Sequence, residues 1–210
     1  MTAYQDYWNT MITELLNELN ASDQLKTNVF DTIKDQARTQ IFPNHIINAL
    51  KIGIALKTGS INTALVAPMQ SGKSGTVYFL CNYVLPEIGF LAEDESVLFV
   101  TSMRDTDLYE QNRINLETDY YDKGQGYKSS FIQVVKMNEF FASPNPFKLV
   151  EDFKVRLVVR DEDQYGCGEE SSFDKAFFNE MRSRIENLML LSVSATPYDI
   201  LEAKFNRCCV

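Results

Sequence analysis

Gly72, Lys73 and Ser74 put a cation and a hydroxyl directly behind a conformationally free residue. They close the octet Ala67, Pro68, Met69, Gln70, Ser71, Gly72, Lys73, Ser74, which follows the apolar run 63–66 and precedes a helix-forming segment at 76–80. In a strand–loop–helix unit of this kind, successive backbone N–H groups at the helix start gather around an anion. Lys73 would then reach the β- and γ-phosphates of ATP, and the Ser74 hydroxyl would ligate Mg²⁺. Met69, Gln70, Ser71, Gly72 and Gly75 would complete the phosphate cradle. The full pattern opens on Gly where this chain has Ala67, and a bare Gly-Lys-Ser also marks an ordinary turn before a helix.

A second grouping follows the strand-like run 155–160, where Asp161, Glu162, Asp163 and Gln164 stand together. Carboxylates at the end of a parallel strand sit where α/β proteins bind ligands. Beside a phosphate loop, Asp161 would hold Mg²⁺ and Glu162 would orient and polarise the attacking water. With Glu169, Glu170 and Asp174 nearby, the same residues also read as a solvated acidic loop. A third run, 190–193, ends in Ser194, Ala195, Thr196 and Pro197, by itself a strand with a proline-stopped turn.

The elements that must position these groups are legible from periodicity. Tyr4, Trp8, Met11, Ile12, Leu15, Leu16 and Leu19 recur at helical spacing. Ser22 offers an N-cap to a second helix striped by Leu25, Val29, Ile33 and Ala37. Pro43 suits the first turn of a third, with Ile46, Ile47, Leu50 and Ile54 on one face and Gly59 as its stop. From Asn62 onward, apolar runs at 63–67, 96–101, 131–136, 154–160 and 188–193 alternate with helical segments at about 74–85, 105–118, 171–185 and 199–206. That alternation predicts an α/β fold with a parallel sheet covered by helices on both faces. Residues 123–127 read as an exposed loop. The expected layout is a helical extension over 1–42 and one α/β nucleotide-binding domain over 43–210.

The chain has 210 residues, 45% hydrophobic and 23% charged, in the range of ordinary globular domains. No apolar run is long enough to cross a bilayer and no signal pattern opens the chain, so an intracellular, cytoplasmic setting without membrane contact is expected, nucleoid association included. Cys81, Cys167, Cys208 and Cys209 show no metal-binding spacing, and the terminal pair reads as an exposed or frayed tail. A net charge of −9 argues against a strong grip on nucleic acid by this chain alone.

In their order, these motifs resemble superfamily 2 helicases and translocases. Residues 67–74 look like motif I, where a leading Ala is normal; residues 161–164 look like the DExx box; Ser194, Ala195 and Thr196 look like motif III. Residues 97–104, followed by Leu108 and Gln111, are similar to motif Ia. The resemblance covers about residues 43–200 and implies the first of two RecA-like domains, an ATPase coupled to DNA or RNA. It implies backbone phosphate contacts for Ser102 and Arg104, and a coupling role for Gln164, Ser194 and Thr196. Met69 and Gln70 stand where Gly and Thr are common, and the adenine-reading glutamine upstream has no match. Asn44 and His45 lie in that region, and His45 reads as a surface or helix-cap residue rather than a base contact. The chain ends fourteen residues after Thr196, where the family continues into a second RecA-like domain carrying an arginine finger. A second domain or a partner protein is therefore expected to complete the site. Two other readings stay open: a nucleotide-binding protein-interaction module without motor activity, and a P-loop NTPase of another lineage.

Overall fold

The structure, a computed structural model, describes residues 3–68, 71–101, 106–118, 120–121, 131–142, 146–161, 176–195 and 208–209. Helices α1 (Ala3–Glu18), α2 (Asp23–Lys34), α3 (Gln36–Thr39) and α4 (Pro43–Lys57) precede the first strand. Ser22 caps α2, its Oγ accepting from the Leu25 N–H at 3.0 Å and donating to Glu87 at 2.6 Å. The second stripe is shorter than expected, because the helix breaks at Asp35 and leaves Ala37 exposed in α3.

Helix α4 is the hub of this layer. Pro43 takes its first turn as expected, and burial reaches beyond the anticipated face to His45, Ala49, Ile52 and Ala55, because α4 is packed on several sides. Its stop is also as expected. Gly59, at φ +90°, lets its own N–H reach Leu56 O and that of Ser60 reach Ala55 O, the paired bonds of a Schellman ending.

Six strands form one parallel sheet in the order β3-β2-β4-β5-β1-β6: β1 (Asn62–Val66), β2 (Ser96–Thr101), β3 (Ile132–Lys136), β4 (Val155–Asp161), β5 (Met189–Ser194) and β6 (Cys208–Cys209). The first five match the anticipated runs. The sixth corrects the reading of a frayed tail, since Cys208 and Cys209 pair in parallel with Thr63 and Ala64. A two-residue strand carries no period of its own and exists only because the edge of β1 is open to it.

Alternation along the strands divides the core in two. Leu65, Val97, Phe99, Leu157, Val159, Leu191 and Val193 share one apolar cluster with α1, α2 and α4. Leu98, Val100, Val158 and Leu190 join the other, with Phe140, Phe147, Val150, Phe177 and Met181. Phe140 belongs to α8 (Met137–Ala142), and Phe147 and Val150 to α9 (Pro146–Asp152); both helices are too short for a periodic signal and escaped the sequence. Arg160 is fully buried on this second face, between Val100 and Ser192.

After β1 the chain forms a rod: α5 (Lys73–Phe79), a π-helical turn (Leu80–Val84) and α6 (Leu85–Glu87). The wider turn runs just ahead of Pro86, which has no N–H to give, and within it Asn82 Nδ2 donates to Tyr78 O at 3.1 Å. Helix α7 (Thr106–Glu117) follows β2, and a second π-helical stretch, Ala176–Met181, precedes β5. The expected helix at 199–206, the loop at 123–127 and the start of the 171–185 segment lie outside the described residues.

Candidate phosphate-binding site

The motif-bearing strands lie side by side in the order β4-β5-β1 and end level with one another. Val66 pairs with Ser194, and Asp161 pairs with Val193. Adjacent strands are about 4.8 Å apart, so Asp161 stands about 10 Å from the end of β1, with β5 between. That gap suits a phosphate group with a hydrated cation. The Ala67 N–H donates to Ser194 O at 3.0 Å, extending the ladder one residue into the loop.

Within the loop, Ser71, Gly72, Lys73, Ser74 and Gly75 are described, while Met69 and Gln70 lie outside the described residues. Gly72 caps α5 in the left-handed region, at φ +80° and ψ +32°. Only glycine adopts this conformation without cost. Lys73 Nζ makes a long 3.5 Å contact with Pro68 O, and Lys73 and Ser74 are both partly exposed. Ser71 Oγ is buried and has no hydrogen-bond partner. An unsatisfied hydroxyl, a helix start with free N–H groups and a lysine at the mouth form a donor set that fits an anion.

Behind the loop stands His45, which is buried, not at the surface. Its Nδ1 accepts from the Phe42 N–H at 3.3 Å, capping α4. The ring hydrogen therefore sits on Nε2, which donates to Ser71 O at 3.2 Å. Both nitrogens are thus engaged, leaving none for a base. Burial holds the His45 pKa below its ordinary 6.5, the bond to Ser71 only partly opposing it. A Cβ on Gly72 would lie 2.0 Å from His45 Nε2, and one on Gly75 would lie 2.9 Å from Nδ1. The Phe42-Pro43 start is a cue to the helix cap, but no local pattern points to the contact with a loop 26 residues away.

At the far side of the site, Asp161 closes β4, and its neighbour across the ladder is Thr101. Thr101 is buried with its hydroxyl unpartnered, a feature that its position in an apolar run concealed. Ser194 is buried at the end of β5. Glu162, Gln164, Thr196, Ser102 and Arg104 lie outside the described residues. The structure thus brings together Ser71, Gly72, Lys73, Ser74, Gly75, Asp161 and Ser194 at one end of the sheet.

Among the described residues no three His, Cys, Asp or Glu side chains gather as a metal site, and no helix is long and apolar enough to cross a membrane. No protein-family model and no curated protein sequence matches the chain.

Proposed function

We propose that this chain is the ATP-binding, RecA-like first domain of a nucleic-acid-dependent ATPase of the superfamily 2 helicase or translocase type. The observation that carries the reading is the level ending of β1, β5 and β4, which gathers Lys73, Ser194 and Asp161 at one end of the sheet. All strands of a parallel sheet end on one side, and ligands bind there; the order β4-β5-β1 adds that these three loops are neighbours.

In this reading the Gly72 N–H and the start of α5 bind the phosphates, and Lys73 swings from Pro68 to the β- and γ-phosphates. Ser74 and Asp161 would hold Mg²⁺, two protein oxygens being enough for an ion that keeps several waters. Bound Mg²⁺ would neutralise charge on the transferred phosphoryl group. Glu162 would position the attacking water, while Gln164, Ser194 and Thr196 would couple nucleotide state to nucleic-acid grip. Ser102 and Arg104 would touch the nucleic-acid backbone, weakly in a chain of net charge −9. The resemblance adds a second RecA-like domain or partner supplying an arginine, worth about 10³- to 10⁵-fold in rate.

The test is binding of a fluorescent ATP analogue with Mg²⁺, followed by turnover with and without DNA or RNA. Lys73→Ala should weaken binding roughly 100-fold by removing charge-assisted bonds, with the circular dichroism spectrum intact. Glu162→Gln should keep binding and lose turnover. Wild-type affinity in Lys73→Ala would refute the proposal. Tight binding with almost no turnover is the result expected of a first domain that lacks its arginine. A stable complex with another protein that gains no nucleic-acid-stimulated turnover would instead favour a nucleotide-dependent interaction module.

A further inference from the structure

We infer that His45 is a positioning residue of the phosphate loop, aiming the Gly72 N–H into the nucleotide site from behind. The inference rests on the phosphate-binding reading of that loop and adds a residue to it. Its geometric basis is the bond from His45 Nε2 to Ser71 O at 3.2 Å. The Ser71–Gly72 peptide is trans and planar, so its C=O and N–H point in opposite directions. With the carbonyl drawn toward His45, the Gly72 N–H faces away from the ring, toward the mouth of the loop. The imidazole also fills the space beneath Gly72 and Gly75, where Cβ atoms would lie 2.0 and 2.9 Å from its nitrogens. A flipped Ser71–Gly72 peptide would aim an N–H at the N–H of His45, so the ring selects one orientation of the two.

His45 is itself held firmly. Its Nδ1 accepts the Phe42 N–H, which fixes the tautomer, and the Phe42 ring packs edge-on at 5.5 Å. Helix α4 thereby carries the loop's orientation in its first turn, joining the N-terminal helices to the site. A histidine that served only as a helix cap would have no need to face Ser71.

Two substitutions separate cap from clamp. His45→Asn keeps an acceptor where Nδ1 lies and loses the donor to Ser71. His45→Gln places an amide N–H near the position of Nε2 and restores that donor. We expect Mg²⁺–ATP-analogue affinity to fall about 10-fold in His45→Asn, the scale of one lost hydrogen bond, and to recover to within about 3-fold in His45→Gln. Amide hydrogen exchange at Gly72, measured without nucleotide, should accelerate in His45→Asn and return toward wild type in His45→Gln. Equal exchange and equal affinity in all three proteins would overturn the inference. Should the wild type bind no nucleotide, the phosphate-binding reading fails, and the exchange comparison alone still decides whether His45 orients the loop.

Discussion

The two ends of the sheet carry different kinds of polar group. At the N-terminal end, charges are paired in or near solvent. Lys154 meets Asp94, and Arg156 lies 3.3 Å from Glu95 and 5.7 Å above the Phe90 ring. A bulge in the β2–β4 ladder, which skips from Val155 to Leu157, presents Arg156 there. Lys154, Asp94, Arg156, Glu95 and Arg184 line an open groove of about 450 Å³. At the C-terminal end the polar groups are buried and incompletely satisfied: Ser71 Oγ and Thr101 Oγ1 have no partner, and His45 is held neutral. Buried polar groups normally find partners, yet Arg156 Nε and both amide atoms of Asn62 are also buried without one at the first end. What sets the second end apart is that its unpaired hydroxyls adjoin Lys73, Ser74 and Asp161, where an open α/β sheet binds ligands. The contrast also shows that charge is a poor guide to the site. Among the described residues, the denser cluster of charges lies at the wrong end of the strands for ligand binding in an open α/β sheet.

The harshest way to break the contrast is Gly72→Ala. A left-handed backbone costs a non-glycine residue about 1–2 kcal/mol. Displacing the His45 ring, 2.0 Å from the new Cβ, adds about 1–3 kcal/mol of overpacking. Thermal unfolding should show this loss, with nucleotide binding abolished. Adding His45→Ala should recover part of the stability and none of the binding; an unchanged melting curve in the single variant would contradict the tight cradle.

A smaller effect comes from pH. The folded protein resists protonating His45, whereas the unfolded chain takes up the proton near 6.5. The stability associated with neutral His45 is therefore complete above 6.5 and lost progressively as pH falls through that value toward the lower folded pKa. Wild type should lose Tm between about pH 7.5 and 5.5 more steeply than His45→Asn, at roughly 2–4 °C per kcal/mol. Parallel Tm–pH curves would remove the titration from His45. This is the only histidine in the chain, so no other imidazole confuses the comparison.

Smallest of all should be Glu95→Gln at the other end. Removing one partner of a partly exposed ion pair should cost under about 1 kcal/mol and leave nucleotide affinity unchanged. A larger loss, or a change in binding, would mean that the two ends are not independent.

Much of the frame was readable in advance because it rests on period. Five strand runs and the helices of the first sixty residues follow from apolar spacing, and the Gly59 stop from glycine's access to positive φ. The short helices α8 and α9 and the pairing of Cys208–Cys209 carry no such period. Ala37 was misassigned because helical spacing continued on paper past the break at Asp35. Lys73, Ser74 and Asp161 were singled out by residue type and order, and the structure places them at one end of the sheet. His45 was read as a surface or helix-cap residue; the cap is there, but the residue is buried and its second partner, Ser71, stayed hidden.

By itself the sequence determined the five longer strands, where the Gly-Lys-Ser loop falls and which carboxylate ends which strand, since each is a local matter of spacing and backbone freedom. Only the tertiary structure decided that β5 lies between β1 and β4, that Thr101 sits beside Asp161, and that His45 stands behind Gly72. Those facts depend on strand order and on the packing of α4 against α5, which join residues far apart in the chain, and no local pattern encodes such a meeting.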